Sequence, residues 1–372
     1  MPRPAKYLHI ADRLRERIAT GSYGAGERLP GEVALAGDLS VNRTTVRKAL
    51  SVLAEEGVIV RRPGQGAYVP PGAAAGAPGG LLFLADLEDH FFQSFNAHLC
   101  REARRTGRSV TALPPAEAPD WAGRVRRLTD GADAVIATGE AARRVAELVP
   151  PHALLIEVSG SLSVNDAPPR PDGDDDAPRR HRLSTDALRG AWLATRRLLE
   201  LGHERVALLT FGWRREPADG PWVVGPSHMP LRGYRMAMRE AGRDELPPLV
   251  LPKALPDDGP EALHAQAAAL LAAADPRPTG IVCTGDYLAG PILQAAAGAG
   301  LRTPDDLSLI GLGNTPWAKW LSPALTSVDM GEADLARLCL ALAADAAPGR
   351  GRTVRVDPHL VERQSTAPPQ RL

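Results

Sequence analysis

The stretch Leu29–Leu53, LPGEVALAGDLSVNRTTVRKALSVL, constrains this chain more than any other. Leu35, Ala36 and Leu39 make one apolar face, and Val46, Ala49, Leu50 and Leu53 repeat at i, i+3, i+4 and i+7. That is the period of two amphipathic helices. Ser40-Val41 is too short to be more than a turn, and Asn42 is a good N-cap for the second helix. The second helix carries Arg43, Thr44, Thr45, Arg47 and Lys48 away from its apolar face, all within its first two turns. A basic helix face is often merely solvated. It is also what a recognition helix presents to the major groove, where Arg pairs with guanine O6 and N7 and Thr reaches a base or a phosphate.

The residues beyond this helix favour the second reading. Gly57 can end the helix in a left-handed cap, and Val58–Val60 and Ala67–Val69 flank the Gly-rich turn Pro63-Gly64-Gln65-Gly66. A basic hairpin beside a helix-turn-helix is a wing. Tyr7-Leu8-His9-Ile10-Ala11, Gly26-Glu27-Arg28-Leu29-Pro30, Asn42–Leu50 and Arg61-Arg62-Pro63-Gly64-Gln65-Gly66 occur in that order. In these motifs the segment resembles the winged helix-turn-helix of the GntR family of bacterial transcription regulators. The resemblance implies DNA binding by Arg28, Arg43, Thr44, Thr45, Arg47, Lys48, Arg62, Gly64, Gln65 and Gly66. One departure is Gly31, where the family usually has a small hydroxyl residue as helix cap.

The formal net charge of the 372 residues is zero, but charge need only be local for DNA binding. Met1–Val69 holds eleven Lys and Arg against seven Asp and Glu, a net of +4, which leaves −4 for the rest. Three widely spaced cysteines, Cys100, Cys283 and Cys339, lack metal-ligand spacing and read as small core residues in a reducing cytoplasm. MPRPAKYLHI has no signal-peptide apolar run, and no stretch approaches a membrane span. The expected location is cytoplasmic, with no membrane contact.

Pro70–Gly80, PPGAAAGAPGG, buries nothing and reads as a linker. From Leu81 onward strand-like and helix-like segments alternate, which means βαβ units and a parallel sheet. Ala167–His181, APPRPDGDDDAPRRH, interrupts them as a Pro- and Asp-rich surface loop. Asp174–Asp176 there is a solvated charge run rather than a metal site. The chain ends on a strand-like Thr353–Glu362. The expected organisation is an α+β winged helix-turn-helix over 1–69, a linker over 70–80, and an α/β two-lobed sensing and dimerisation domain over 81–372.

A second resemblance covers roughly Leu81–Thr366. Leu201-Gly202-His203-Glu204-Arg205-Val206-Ala207-Leu208-Leu209, Arg232-Gly233-Tyr234, Thr284-Gly285-Asp286, Thr303–Gly311, Ser322–Val328 and Leu360–Thr366 are similar to the effector domain of the LacI family. That family has a periplasmic-binding-protein-like fold, with two lobes, three crossovers and a small ligand between them. A GntR-type reader on a LacI-type sensor is the arrangement of arabinose-responsive repressors of the AraR type.

Open α/β sheets bind ligands beyond the carboxyl ends of their strands. Those positions hold Asp86, Phe91, Phe92, Arg232, Asp286, Asn314 and Trp317, the candidate effector contacts. The resemblance gives Arg232 a guanidinium grip on the ligand, and makes Phe91 and Phe92 walls for it. Core packing is the competing role for both phenylalanines. Gly285 and Gly313 stand where sugar-binding relatives commonly carry Asn and Asp, so two polar contacts that define a sugar are missing. Asn314, Trp317 or Trp320 could substitute, and Trp213 and Trp222 could reach over the cleft mouth.

Together these features imply a homodimeric transcription regulator, a repressor, that reads a palindromic double-stranded operator and is released by a small effector, for which a carbohydrate is one candidate. The alternatives are a regulator with an altered or non-sugar pocket, acting as activator or without ligand, and more remotely a fusion to a pyridoxal-phosphate enzyme. The last needs a Schiff-base lysine, and beyond residue 69 only Lys253 and Lys319 exist. No cofactor, metal or catalytic residue is expected. A transport solute-binding protein fits neither the N-terminal winged helix nor the lack of a signal peptide, and the α/β sensor is neither all-helical nor short.

Overall fold

The computed structural model describes residues 6–19, 23, 27–39, 41–55, 58–62, 66–69, 80–85, 90–114, 121–160, 180–212, 214–215, 222–224, 228–252, 260–345 and 351–370. Asp86, Gly64, Gln65, Gly57, Trp213, Lys253, 70–79 and 167–179 lie outside them, as do the side chains of Arg62 and Trp222.

The N-terminal unit is α1 (Lys6–Ala19), α2 (Glu32–Asp38), α3 (Arg43–Glu55) and the antiparallel pair β1 (Val60–Arg62) and β2 (Gly66–Tyr68). Ala11, Leu14, Ile18, Leu35, Leu39, Val46, Ala49, Leu50, Leu53 and Ile59 form one core. These include the periodic apolar positions of both helices of the helix-turn-helix except Ala36, which packs half-buried against the core.

The remainder builds two six-stranded sheets. The first comprises β3 (Gly80–Leu84), α4 (His90–Arg105), β4 (Ser109–Leu113), α5 (Trp121–Thr129), β5 (Ala132–Thr138), α6 (Gly139–Val145), β6 (Leu154–Ser159) and β7 (Arg180–Thr185). The chain then passes to the second lobe. This has α7 (Ala187–Glu200), β8 (Val206–Gly212), β9 (Arg214–Arg215), β10 (Trp222–Val223), α8 (Met229–Glu240), β11 (Leu249–Pro252), α9 (Pro260–Ala273), β12 (Gly280–Cys283), a 3-10 turn at Asp286–Leu288, α10 (Ala289–Gly298), β13 (Ser308–Leu312), α11 (Pro316–Trp320) and β14 (Thr326–Asp329). α12 (Glu332–Ala344) returns to the first lobe, where Leu335, Ala336 and Cys339 join Phe83, Phe95 and Ile136 in one core. β15 (Thr353–Val356) pairs with β7, and β16 (His359–Val361) with β14. The sheet orders are β15-β7-β6-β5-β3-β4 and β11-β8-β12-β13-β14-β16, parallel except for β16.

The chain therefore crosses between the lobes three times, after β7, after β14 and after β15. The crossings touch. Arg355 donates to the Asp186 carboxylate at 3.3 Å, and Gly190 lies against Met330 and Gly331 against Val356.

Two expectations are corrected. Arg180 and His181, read as the end of a surface loop, begin β7, whose His181, Leu183 and Thr185 are buried. Thr353–Glu362 is two strands in different sheets, divided at Asp357-Pro358 where proline can give no ladder hydrogen bond. Cys283 and Cys339 are buried core residues and Cys100 is half-buried; all three are free thiols. No helix among the described residues is long and apolar enough to cross a membrane.

Candidate nucleic-acid interface and effector cleft

The turn between α2 and α3 is held as the sequence suggests. Asn42 Oδ1 accepts from Thr45 N at 2.7 Å and from Thr45 Oγ1 at 2.8 Å, capping α3. Gly31 caps α2 without any side-chain bond. Arg43, Thr44, Arg47 and Lys48 are exposed on one face of α3, and Lys48 Nζ lies 5.9 Å from the Tyr7 ring centre. Arg28 bridges to Tyr68 beside the hairpin, and its guanidinium lies against Gly66. Gly66 has φ +107°, in the region that favours glycine, so the backbone strains any other residue there.

Glu32 carries no signature in the sequence. Its carboxylate accepts from Arg43 Nε at 3.0 Å, Arg47 Nη2 at 2.9 Å and Arg61 Nη2 at 3.3 Å. Hydrogen bonds from Arg47 first, then Arg43, hold its pKa down at about 2 against the opposing effect of burial. Arg61 also donates to Ser51 Oγ, which in turn donates to the Arg47 carbonyl. The tandem Arg61-Arg62 is the one hint in the sequence; the separations of 11, 15 and 29 residues from Glu32 give none.

In the sensor, the candidate contacts fall into two groups. Phe91 and Phe92, in the first turn of α4, are buried in the first lobe's core and meet edge to face at 5.2 Å. Phe91 covers Gly160 and thus the carboxyl ends of β6 and β7. Arg232, Asp286, Asn314 and Trp317 sit in the second lobe. Arg232 is exposed near the start of α8, with its Nη1 3.8 Å from Met229 Sδ. Asp286 follows β12 and is buried. It accepts from Thr315 N at 2.6 Å, Thr315 Oγ1 at 2.8 Å and Ser327 Oγ at 2.6 Å. Burial still raises its pKa to about 6. The carboxylate is committed to holding the loop after β13.

Asn314 is committed as well. Its amide donates to Asp329 at 2.9 Å, and its carbonyl accepts from Arg363 at 2.5 Å. Gly313 has φ +124°, which disfavours the Asp that sugar-binding relatives carry there. A side chain at Gly285 would run into the Tyr287 ring, which stacks on Phe211 at 5.6 Å. Trp317 and Trp320 are 51% and 73% exposed on α11 and meet edge to face at 6.0 Å.

Two buried titratable groups also lack any sequence signature. His228 N-caps α8 by accepting from Leu231 N at 3.1 Å, so its other nitrogen donates to Thr210 Oγ1 at 3.2 Å. Burial lowers its pKa to about 4, keeping it neutral. Glu332 begins α12, and burial followed by the nearby Asp329 and Asp286 charges raises it to about 8.

Residues 6–69 match the model of bacterial regulatory proteins of the gntR family, and residues 195–366 that of the periplasmic binding protein-like domain. The chain therefore joins a gntR-family winged helix to a periplasmic-binding-protein-like domain. Among curated proteins, it is 31% identical over 188 residues to the HTH-type transcriptional repressor PurR of Yersinia pestis bv. Antiqua. The match to PurR of Pectobacterium carotovorum is 29% over 188 residues. Each match takes 49% of this chain, and the chain spans about half the length of these relatives (50%). A LacI family transcriptional regulator from Arthrobacter sp. FB24, in complex with lactose, superposes with TM-score 0.59 at 22% identity over 78% of this chain and 99% of that one. The CelR–cellobiose complex superposes with TM-score 0.57 at 17% identity over 91% of this chain and 100% of that one. These two likenesses concern the fold.

Proposed function

We propose that this chain, a gntR-family reader joined to a periplasmic-binding-protein-like sensor, is a DNA-binding transcription regulator controlled by a small effector. It acts by binding rather than catalysis, in the cytoplasm, with a reader over 1–69, a linker over 70–80 and a sensor over 81–372. As a homodimer it reads two half-sites of a palindromic operator and represses. The observation that carries this reading is the exposed row Arg43, Thr44, Arg47 and Lys48 at the start of α3, beside the basic strand β1. Helix N-terminal residues meet base edges, and guanidinium forks match guanine.

The effector lies between the lobes, and its preference for one lobe arrangement sets DNA affinity. Solved relatives of the fold are complexes with lactose, ribose and cellobiose, which makes sugars the first class to try. Gly285 and Gly313, with Asp286 and Asn314 held in internal bonds, favour a ligand with fewer hydroxyl contacts than those sugars make. Arg232 is the candidate charged contact, with Asp86, Phe91, Phe92 and Trp317 as further ones.

The test is fluorescence anisotropy of the purified chain at physiological salt. The duplex comes from upstream of its own gene, with a scrambled control, and sugars and nucleosides are added in turn. Specific binding released by one compound is the expected result. Equal binding to both duplexes at every salt concentration rejects the reading.

A further inference from the structure

Glu32 opens α2 on the DNA-reading side, and its side chain is only 17% exposed. Three guanidinium groups converge on its two oxygens, from Arg43 and Arg47 of α3 and Arg61 of β1. On electrostatics alone this carboxylate is a liability. It subtracts a charge from the surface that must attract phosphate.

The bond pattern supplies the compensating role. Arg43 is held through Nε, which leaves Nη1 and Nη2 without a partner among the described residues. That end-on fork is the part of arginine that pairs with guanine O6 and N7. Arg47 is held along its Nε and Nη2 edge, with Nη2 at 2.9 Å, which leaves Nη1 and the outer N–H of Nη2 as its end-on fork. A guanidinium fixed before binding loses less side-chain freedom on binding. Arg61, bonded to both Glu32 and Ser51, ties the wing strand to the same carboxylate.

We propose that Glu32 is a positioning residue for sequence specificity. It aims the forks of Arg43 and Arg47 at guanine edges and weakens their hold on phosphate of any sequence. The inference rests on the DNA-binding reading and deepens it.

The experiment compares the full chain with Glu32→Gln, which keeps the shape and removes the charge. Each protein selects from a randomised duplex library, and anisotropy then measures the selected and a scrambled duplex across salt concentrations. The expected result is a fall of about tenfold or more in the ratio of selected to scrambled affinity. Binding to the scrambled duplex strengthens, and its salt dependence steepens by up to about one ion. A merely structural loss would lower both affinities together. Such a parallel fall, or an unchanged ratio, overturns the inference while leaving the regulator reading intact. A wild-type chain that enriches no site removes both.

Discussion

Ser327 Oγ donates to Asp286 Oδ1 at 2.6 Å while accepting from Asn314 N at 3.0 Å. One hydroxyl thus joins β14, the end of β12 and the loop after β13. The donation goes to a buried carboxylate, where hydrogen bonds are stronger than between neutral groups. Ser327→Ala leaves the carboxylate one donor short and the Asn314 amide without its acceptor. We expect a loss of about 2–3 kcal/mol in denaturant unfolding of the sensor. A change under about 0.5 kcal/mol would mean that the loop takes up the slack.

Glu332 predicts the direction of the pH dependence. Its pKa stands at about 8 in the fold against the ordinary 4.5, because burial disfavours the charged form. Folding therefore keeps a proton that the unfolded chain releases. The stability is fully present below about pH 4.5 and is lost as pH rises through about 8. Asp286, raised from 3.8 to about 6, adds the same sign of dependence over a lower window. Glu332→Gln removes the larger part. It should raise the unfolding temperature at pH 8 and leave it nearly unchanged at pH 5, with a gain on the order of 3 kcal/mol at the higher pH. A variant less stable than wild type at pH 8 contradicts this account.

The helix-turn-helix was legible because its signals are local. Periodicity placed Leu35, Leu39, Val46 and Leu53 in one core, and Asn42 announced its cap. β7 was not legible. Its sequence RHRLST turns His181 and Thr185 inward, so polar residues occupy core positions, and pairing with β6 and β15 makes it a strand. The split between β15 and β16 is likewise tertiary, since each half reads as the same short extended segment. Asp286 and Asn314 read as ligand contacts, and their part in holding the loop was not legible because a polar residue at a strand's carboxyl end gives the same signal for either role. The structure joins them to Thr315, Ser327, Asp329 and Arg363. Glu32 was hidden because its partners are scattered through the sequence.

Asn42 offers a direct test of the reader's cap. Its carbonyl oxygen accepts from both the backbone and the hydroxyl of Thr45. Asn42→Ala removes both bonds at the helix end that carries Arg43 and Thr44. We expect about 1 kcal/mol lost in chemical denaturation of the N-terminal unit. DNA affinity should fall alongside, and Asn42→Asp should restore most of the stability. Equal unfolding curves for wild type and Asn42→Ala would show that the turn is held by backbone contacts alone.

Gly331 lies in the crossover from β14 to α12, with φ +82° and Val356 of the neighbouring crossover against its α-carbon. Asp329 Oδ1 accepts from its N–H at 2.8 Å, fixing the turn. Any other residue is strained there by backbone and by space, at about 1–2 kcal/mol for Ala. Such crossovers absorb the dihedral changes when lobes close. The reader contributes nothing to this contact, so Gly331→Ala should lower the stability of the sensor while leaving operator affinity without effector within about twofold. Its effect on control should emerge as a shift in the effector concentration needed for release. Unfolding of the variant sensor, followed together with anisotropy on the operator duplex, separates the two. Operator affinity that falls in step with sensor stability would show instead that the reader depends on the closed geometry of the lobes even without effector.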